Sequence, residues 1–352
     1  MVVTLATRLS LLATLLSVRA IRLHAPGDLR LDEVPDPSPG EDEVVVTVEA
    51  AGVCGSDLHF FDGTARTSML PITLGHEVAG SLAASSDTRV VVALATACGV
   101  CDRCLEQRPN LCLRVEVIGI HRDGGLADRI VVPAGSVIPV PASVDAPQAA
   151  TATDAGSTAR HAVHRRAGVE RGQRVAIIGI GGLGSYGVQM ARNLGATVIA
   201  VDTSADALDR ATALGAEAIV LAEPGMSVGR AVKQATDGGV DIAIEFVGAA
   251  ATVDIAVKSL RPGGRAVAVG VGPEPLTTIP PVLWSNNEYT LTGSYGSLPG
   301  DTEAVLDDLA TGRLVAPPVR LVEMEDAVRA ITDAADHGSA ERIVVTPQSA
   351  VQ

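Results

Sequence analysis

Hydrophobic positions change their rhythm once along this chain. From about residue 20 to 150 they come in short, β-branched runs separated by turn residues. Residues 19–23 (Arg-Ala-Ile-Arg-Leu) and 43–48 (Glu-Val-Val-Val-Thr-Val) are two such runs. Between them lies the cluster Pro35, Asp36, Pro37, Ser38, Pro39 and Gly40. The runs read as strands and the cluster as a turn, which predicts an all-β, barrel-like region. From about residue 156, strand-like runs alternate with helical stretches. Residues 175–179, 197–202, 241–245 and 265–270 are the strand candidates, and a helical period runs from Ser185 to Leu194. Alternation of this kind predicts βαβ units and a parallel sheet. No internal repeat and no bilayer-spanning apolar run interrupts the pattern.

A chain of 352 residues has room for two cores, and 47% apolar content makes it globular. Aromatics are only 2%, so Val, Leu, Ile and Ala must fill those cores. The net charge of -14 argues against a nucleic-acid partner, which would need clustered Lys and Arg. Residues 1–17 are apolar, with Arg8 their single charge, and Val18-Arg19-Ala20 loosely resembles a signal-cleavage site. The segment lacks a basic start and is too short to span a membrane. A start at Val18 is favoured, because a strand pattern begins at Arg19 and exported proteins rarely keep free thiolates. The expected location is cytoplasmic, with no membrane partner.

All five cysteines fall into metal-site patterns. Cys98, Cys101, Cys104 and Cys112 are spaced C-x2-C-x2-C-x7-C. An odd cysteine count and such tight spacing favour thiolate ligands over disulfides, and four thiolates close a tetrahedral structural zinc site. Cys54, in Gly52-Val53-Cys54-Gly55-Ser56-Asp57-Leu58-His59, and His76, in Gly75-His76-Glu77, form an incomplete set. One thiolate plus one imidazole is the start of a catalytic zinc, which needs a third protein ligand. No cysteine remains, so the candidates are His, Asp or Glu near the start of the second region; Asp154 stands at the seam of the two textures. Asp57 could fix His76 by accepting its other ring N–H.

The segment Gly179-Ile180-Gly181-Gly182-Leu183-Gly184 matches G-x-G-x-x-G, follows a buried strand and opens a helix. Gly179 allows the tight turn, Gly181 lets backbone N–H groups approach a pyrophosphate, and Gly184 lets helix and strand pack closely. Asp202 ends the next strand, where its carboxylate can accept from a ribose hydroxyl and repel a 2′-phosphate. NAD is therefore expected over NADP.

With these motifs combined, residues 19–347 resemble the zinc-dependent medium-chain alcohol dehydrogenase family. The resemblance implies a GroES-like β-barrel catalytic domain over 19–155 and a Rossmann doubly wound domain over 156–295, an α/β fold overall. Residues 296–352 are expected to return to the catalytic domain. It implies that Cys54, His76 and Asp154 hold catalytic zinc, Asp154 matching the family's A-D-A-G-x-T-A-Y-H-A form. Cys98, Cys101, Cys104 and Cys112 hold structural zinc. Ser56 matches the hydroxyl that takes the substrate proton, and His59 the relay histidine. Asp57 and Glu77 match carboxylates that support the ligands, and Arg342 an arginine on the cofactor pyrophosphate. NAD and two zincs follow as cofactors, with Gly179, Gly181, Gly182, Leu183, Gly184 and Asp202 on the dinucleotide. A homodimer or homotetramer is implied by residues 289–294, which resemble the family's dimer edge.

Plainer readings stand beside these. His59 could be a surface histidine, Ser56 a turn residue, Glu77 a solvated neighbour, and Asp154 a helix N-cap. His121, His161 and His164 read as surface or loop residues. Two features depart from the family pattern: residues 81–90 are shortened, and Arg160 stands where Tyr is usual, so it faces either an anionic substrate or solvent. The expected activity is reversible oxidation of a primary or secondary alcohol, with a polyol or sugar alcohol as the alternative substrate. A non-catalytic NAD- and zinc-binding redox sensor is the alternative of another class.

Overall fold

The computed structural model describes residues 17–276, 279–337 and 341–347. Residues 1–16, and with them the choice between a signal segment and a later start, lie outside the described residues. The chain divides into two compact units. Among the described residues, the first takes those from 17 to 104, 112–153 and from 319 onward; the second takes 105–111 and 154–318. The return to the first unit thus begins at Val319, not at residue 296. The physical reason is helix Asp301–Ala310, which packs on Ser157–Arg160 of the second unit.

The first unit holds β1 (Ser17–Ala25), β2 (Asp28–Pro35), β3 (Glu43–Gly52), β4 (Ile72–Thr73), β5 (Glu77–Leu82), β6 (Ser85–Val92), β7 (Ala95–Thr96), β8 (Glu116–Val117), β9 (Arg129–Pro133) and β10 (Val137–Pro139). From the far end of the chain come β17 (Val319–Glu323) and β18 (Arg342–Thr346). A three-stranded sheet has the order β2-β1-β4. A seven-stranded sheet has the order β10-β6-β5-β3-β18-β17, with β9 also on β3. Alternation decides which side chains enter the core: Val46, Val48 and Ala50 of β3 are fully buried, while Val45, Thr47 and Glu49 are not. Val46 and Val48 join Ile21, Leu23, Ile72, Leu74, Leu126 and Val345 in one apolar cluster. The shortened stretch 81–90 becomes a hairpin: β5 turns into β6 with Leu82 opposite Ser85. The edge of the sheet survives the deletion because a tight turn replaces the longer loop.

The second unit is one parallel sheet of β11 (Arg174–Ile178), β12 (Thr197–Asp202), β13 (Ala218–Leu221), β14 (Val240–Glu245), β15 (Leu260–Ala268) and β16 (Thr290–Gly293), ordered β13-β12-β11-β14-β15-β16. Its middle strands are near-continuous apolar runs, as a sheet covered on both faces requires. The strand order reverses between β11 and β14, the position where doubly wound sheets bind ligands. The first helix after β11 spans Gly182–Asn193, starting three residues before the apolar period at Ser185 because glycines 182 and 184 carry no pattern. No helix among the described residues is long and apolar enough to cross a membrane.

Candidate metal and dinucleotide sites

Cys54 is the N-cap of helix Gly55–Asp62, in extended backbone. Its backbone N–H donates to Asp57 Oδ2 at 2.8 Å, closing a capping box. His76 is reached through Gly75, whose φ of +92° no L side chain readily adopts; a Cβ there would also lie 2.7 Å from Leu126 Cγ. His76 is buried, with Nε2 3.4 Å from Ser56 Oγ and Nδ1 3.6 Å from Asp57 Oδ1. The second distance is longer than a hydrogen bond, so Asp57 steers the ring electrostatically and not by the direct bond expected.

Asp154 lies in the π-helical turn Ala152–Gly156 of a helix that begins at Ala146. It is not an N-cap; Asp145 is, accepting from Gln148 N at 2.8 Å. A π-turn shifts the side-chain register locally and is frequent at functional sites. The helix starts by packing on β3 and β5 within the first unit. Ligand atoms of Cys54, His76 and Asp154 all lie within 4.8 Å of one another. Thr158, one turn on, donates from Oγ1 to Asp154 Oδ1 at 2.9 Å in a buried setting. Its part was missed in the sequence, although the i, i+4 spacing of Thr158 and Asp154 on a helix was a usable signal.

The other expected residues fall into two groups. Glu77 is not solvated: it is fully buried and binds Arg342 through two bonds of 2.6 and 2.7 Å. Gly52 makes room for it, since a Cβ there would stand 2.0 Å from Glu77 Oε2. Arg342 therefore spends Nε and Nη2 on Glu77. His59 is part-exposed, with Nδ1 3.1 Å from Thr64 Oγ1 and 3.8 Å from Asp62 Oδ2. Arg160 lies 3.6 Å from Asp301 and 3.8 Å from Asp308, so two acidic side chains stand beside its guanidinium. His161, expected at the surface, is buried, and burial pushes its imidazole and that of His164 below the ordinary value.

The four-cysteine set lies on one lobe of the first unit. Sγ separations are 3.6 Å for Cys101–Cys104, 3.8 Å for Cys101–Cys112 and 3.9 Å for Cys98–Cys104. Zinc–sulfur bonds of about 2.3 Å in a tetrahedron put the sulfurs about 3.8 Å apart, so the donors already fit the metal. A backbone N–H from Val100 holds the Cys98 thiol down at about 5. Burial, followed by the neighbouring thiols, pushes Cys104 up to about 12. Four sulfurs this close cannot all ionise without a cation among them.

In the second unit, Gly179 has φ +86°, and a Cβ on Gly184 would sit 1.9 Å from Gly179 O. Gly181 is exposed, nothing lies within 4 Å of where its Cβ would be, and it caps helix Gly182–Asn193. That combination leaves backbone amides at a helix N-terminus open to an anion. Asp202, at the end of β12, accepts Ile180 N at 2.7 Å and Ser204 N at 2.8 Å, which ties it to the glycine turn. These features fit a dinucleotide.

Comparison with known proteins agrees with this geometry. A family model described as an alcohol dehydrogenase GroES-like domain matches residues 40–142, and one described as a zinc-binding dehydrogenase matches 182–311. A Haemophilus influenzae protein named as an uncharacterized zinc-type alcohol dehydrogenase-like protein is 32% identical over 332 residues, 91% of this chain and 96% of that one. The L-galactonate-5-dehydrogenase of Escherichia coli is 30% identical over 291 residues, covering 80% and 84%. A Sinorhizobium meliloti protein solved with NADP bound is 32% identical, with a TM-score of 0.84 over 94% of this chain and 99% of that one. Two donor sets suited to zinc, a glycine turn opening on a helix, and near full-length similarity point the same way: this chain belongs to the zinc-dependent medium-chain alcohol dehydrogenase family.

Proposed function

We propose that the chain reversibly oxidises a primary or secondary alcohol to an aldehyde or ketone, passing hydride to NAD. The observation that carries this reading is the meeting of one thiol, one imidazole and one carboxylate within 4.8 Å. Three mixed ligands are the set of a catalytic zinc, which keeps a position for substrate. Zinc held there supplies Lewis acidity toward the alcohol oxygen, and NAD supplies the hydride acceptor. Cys54 thiolate and Asp154 carboxylate balance the cation's charge, while neutral His76 adds none. Ser56, 3.4 Å from His76 Nε2, stands beside the ligands and takes the substrate proton. His59 is oriented through Nδ1 by Thr64, so Nε2 is the nitrogen that passes a proton to solvent.

Asp202 supports NAD over NADP. The residues after it are Thr203, Ser204, Ala205 and Asp206, and no Lys or Arg follows before Arg210, so this stretch offers a 2′-phosphate no side-chain cation beside the Asp202 carboxylate. The Escherichia coli relative favours a polyol or sugar acid as the second substrate reading. β16 is the outermost strand of its sheet, which supports pairing with a second copy into a dimer or tetramer. The test is a screen of simple alcohols, polyols and sugar acids with zinc-loaded protein, following reduced-nicotinamide absorbance with NAD and with NADP. Turnover with NAD above NADP is expected. No turnover on any alcohol would return the chain to the sensor reading.

A further inference from the structure

The geometry points to Glu245 as a positioning residue for the nicotinamide half of the dinucleotide, an inference that rests on the NAD reading above. Glu245 ends β14 and pairs in register with Ile178, the last residue of β11. These two strands flank the reversal in strand order, where a dinucleotide crosses the sheet. The first half of the sheet, β11 to β13, carries the glycine turn and Asp202; β14 opens the other half.

The Glu245 side chain is fully buried. Its Oε1 accepts three hydrogen bonds, from Val247 N at 2.6 Å, Gly248 N at 2.7 Å and Thr252 Oγ1 at 2.8 Å. One oxygen thus fastens the turn leaving the strand to the first turn of helix Ala250–Ser259. That turn is pressed against the end of β15 with no space for side chains. A Cβ on Gly248 would lie 2.5 Å from Val271 N, one on Gly270 2.1 Å from Gly248 N, and one on Gly272 2.2 Å from Gly248 O. On its other side, Val247 Cγ2 would stand 2.5 Å from a Cβ on Gly179. Val247 and Val271 are 50% and 68% exposed, so this tightly packed backbone presents an apolar surface beside the glycine turn. Glu245 Oε2 is buried with no hydrogen-bond partner among the described residues. A half-satisfied buried carboxylate is costly for a turn that a neutral residue could hold, and such groups concentrate at functional sites.

NADH and ADP-ribose separate this role from a purely structural one, because ADP-ribose lacks the nicotinamide ring. Both are titrated calorimetrically into the zinc-loaded wild type, Glu245→Ala, Glu245→Gln and Thr252→Val. Loss of the charged acceptor should weaken NADH by about tenfold in Glu245→Ala and Glu245→Gln, and loss of one donor by roughly threefold in Thr252→Val. ADP-ribose affinity should stay within about twofold in each. Should Glu245→Ala fail to fold, the other two variants decide. Equal weakening of both ligands, or unchanged NADH affinity in Glu245→Gln, overturns the assignment. A wild type that binds neither ligand overturns the NAD reading itself.

Discussion

Thr158→Val removes a buried hydrogen bond to Asp154, the carboxylate of the proposed catalytic zinc set. Thr158 Oγ1 donates to Asp154 Oδ1 at 2.9 Å, and Thr158 is only 7% exposed. Valine has nearly the same shape, so no cavity opens and the loss is confined to the hydroxyl. A hydrogen bond to a charged acceptor contributes about 1.5–3 kcal/mol, or roughly 10- to 150-fold in an equilibrium constant. Against this, a carboxylate freed of its donor is a more basic metal ligand, which recovers part of the loss. Partners that orient metal ligands cost about 10- to 100-fold when removed, so orientation outweighs basicity and a loss near tenfold is expected. The assay is zinc competition with a colorimetric chelator. One zinc should be released about tenfold more readily than in wild type, while the zinc on the four cysteines keeps its affinity. Thr158→Ser, which retains the hydroxyl, should bind nearly as wild type does. Wild-type zinc affinity in Thr158→Val, or both zincs loosening together, would refute the reasoning.

Arg342→Ala leaves the buried Glu77 charge without its guanidinium, and denaturant unfolding should show a loss of about 3–5 kcal/mol, partly restored by adding Glu77→Gln. An unchanged midpoint would mean the pair is not buried in solution. Gly184→Ala places a methyl 1.9 Å from Gly179 O, so NADH fluorescence titration should show binding weakened by more than about tenfold; undiminished binding would contradict the close packing. His161 and His164 both titrate below the ordinary imidazole value, chiefly through burial. The unfolded chain therefore holds more protons than the folded one just below pH ~6.5, and stability present above that pH is lost on acidification. Thermal melts should fall between pH 7.5 and 5.5, less steeply in His161→Asn/His164→Asn; a rise on acidification would reverse the assigned sign.

What was legible in the sequence is what short spacing encodes. The cysteine sets, the glycine turn and the strands around it depend on residues close in the chain, and β12 spans the residues expected of it. Asp154 was legible as a candidate because the cysteines ran out, but its π-turn and its bond to Thr158 were not. Contacts made at long range left no local signal. Arg342 and Glu77 are 265 residues apart, and nothing near either one marks the pair. Arg160 read as facing either an anionic substrate or solvent because its partners, Asp301 and Asp308, lie far along the chain. The C-terminal boundary was misplaced for the same reason, since only packing assigns helix Asp301–Ala310 to the second unit. Glu245 read as a strand end, and its three donors became visible only once the turn after it was folded.

The central claim is that Cys54, His76 and Asp154 hold the zinc at which alcohol is oxidised, apart from the zinc on the four cysteines. The most direct test measures zinc per chain and NAD-dependent alcohol oxidation together, in wild type and Cys54→Ala. Two zincs and turnover are expected in the wild type; in Cys54→Ala, one zinc, no turnover and intact NADH binding are expected. A Cys54→Ala protein that keeps both zincs, or still oxidises the alcohol, would contradict the account.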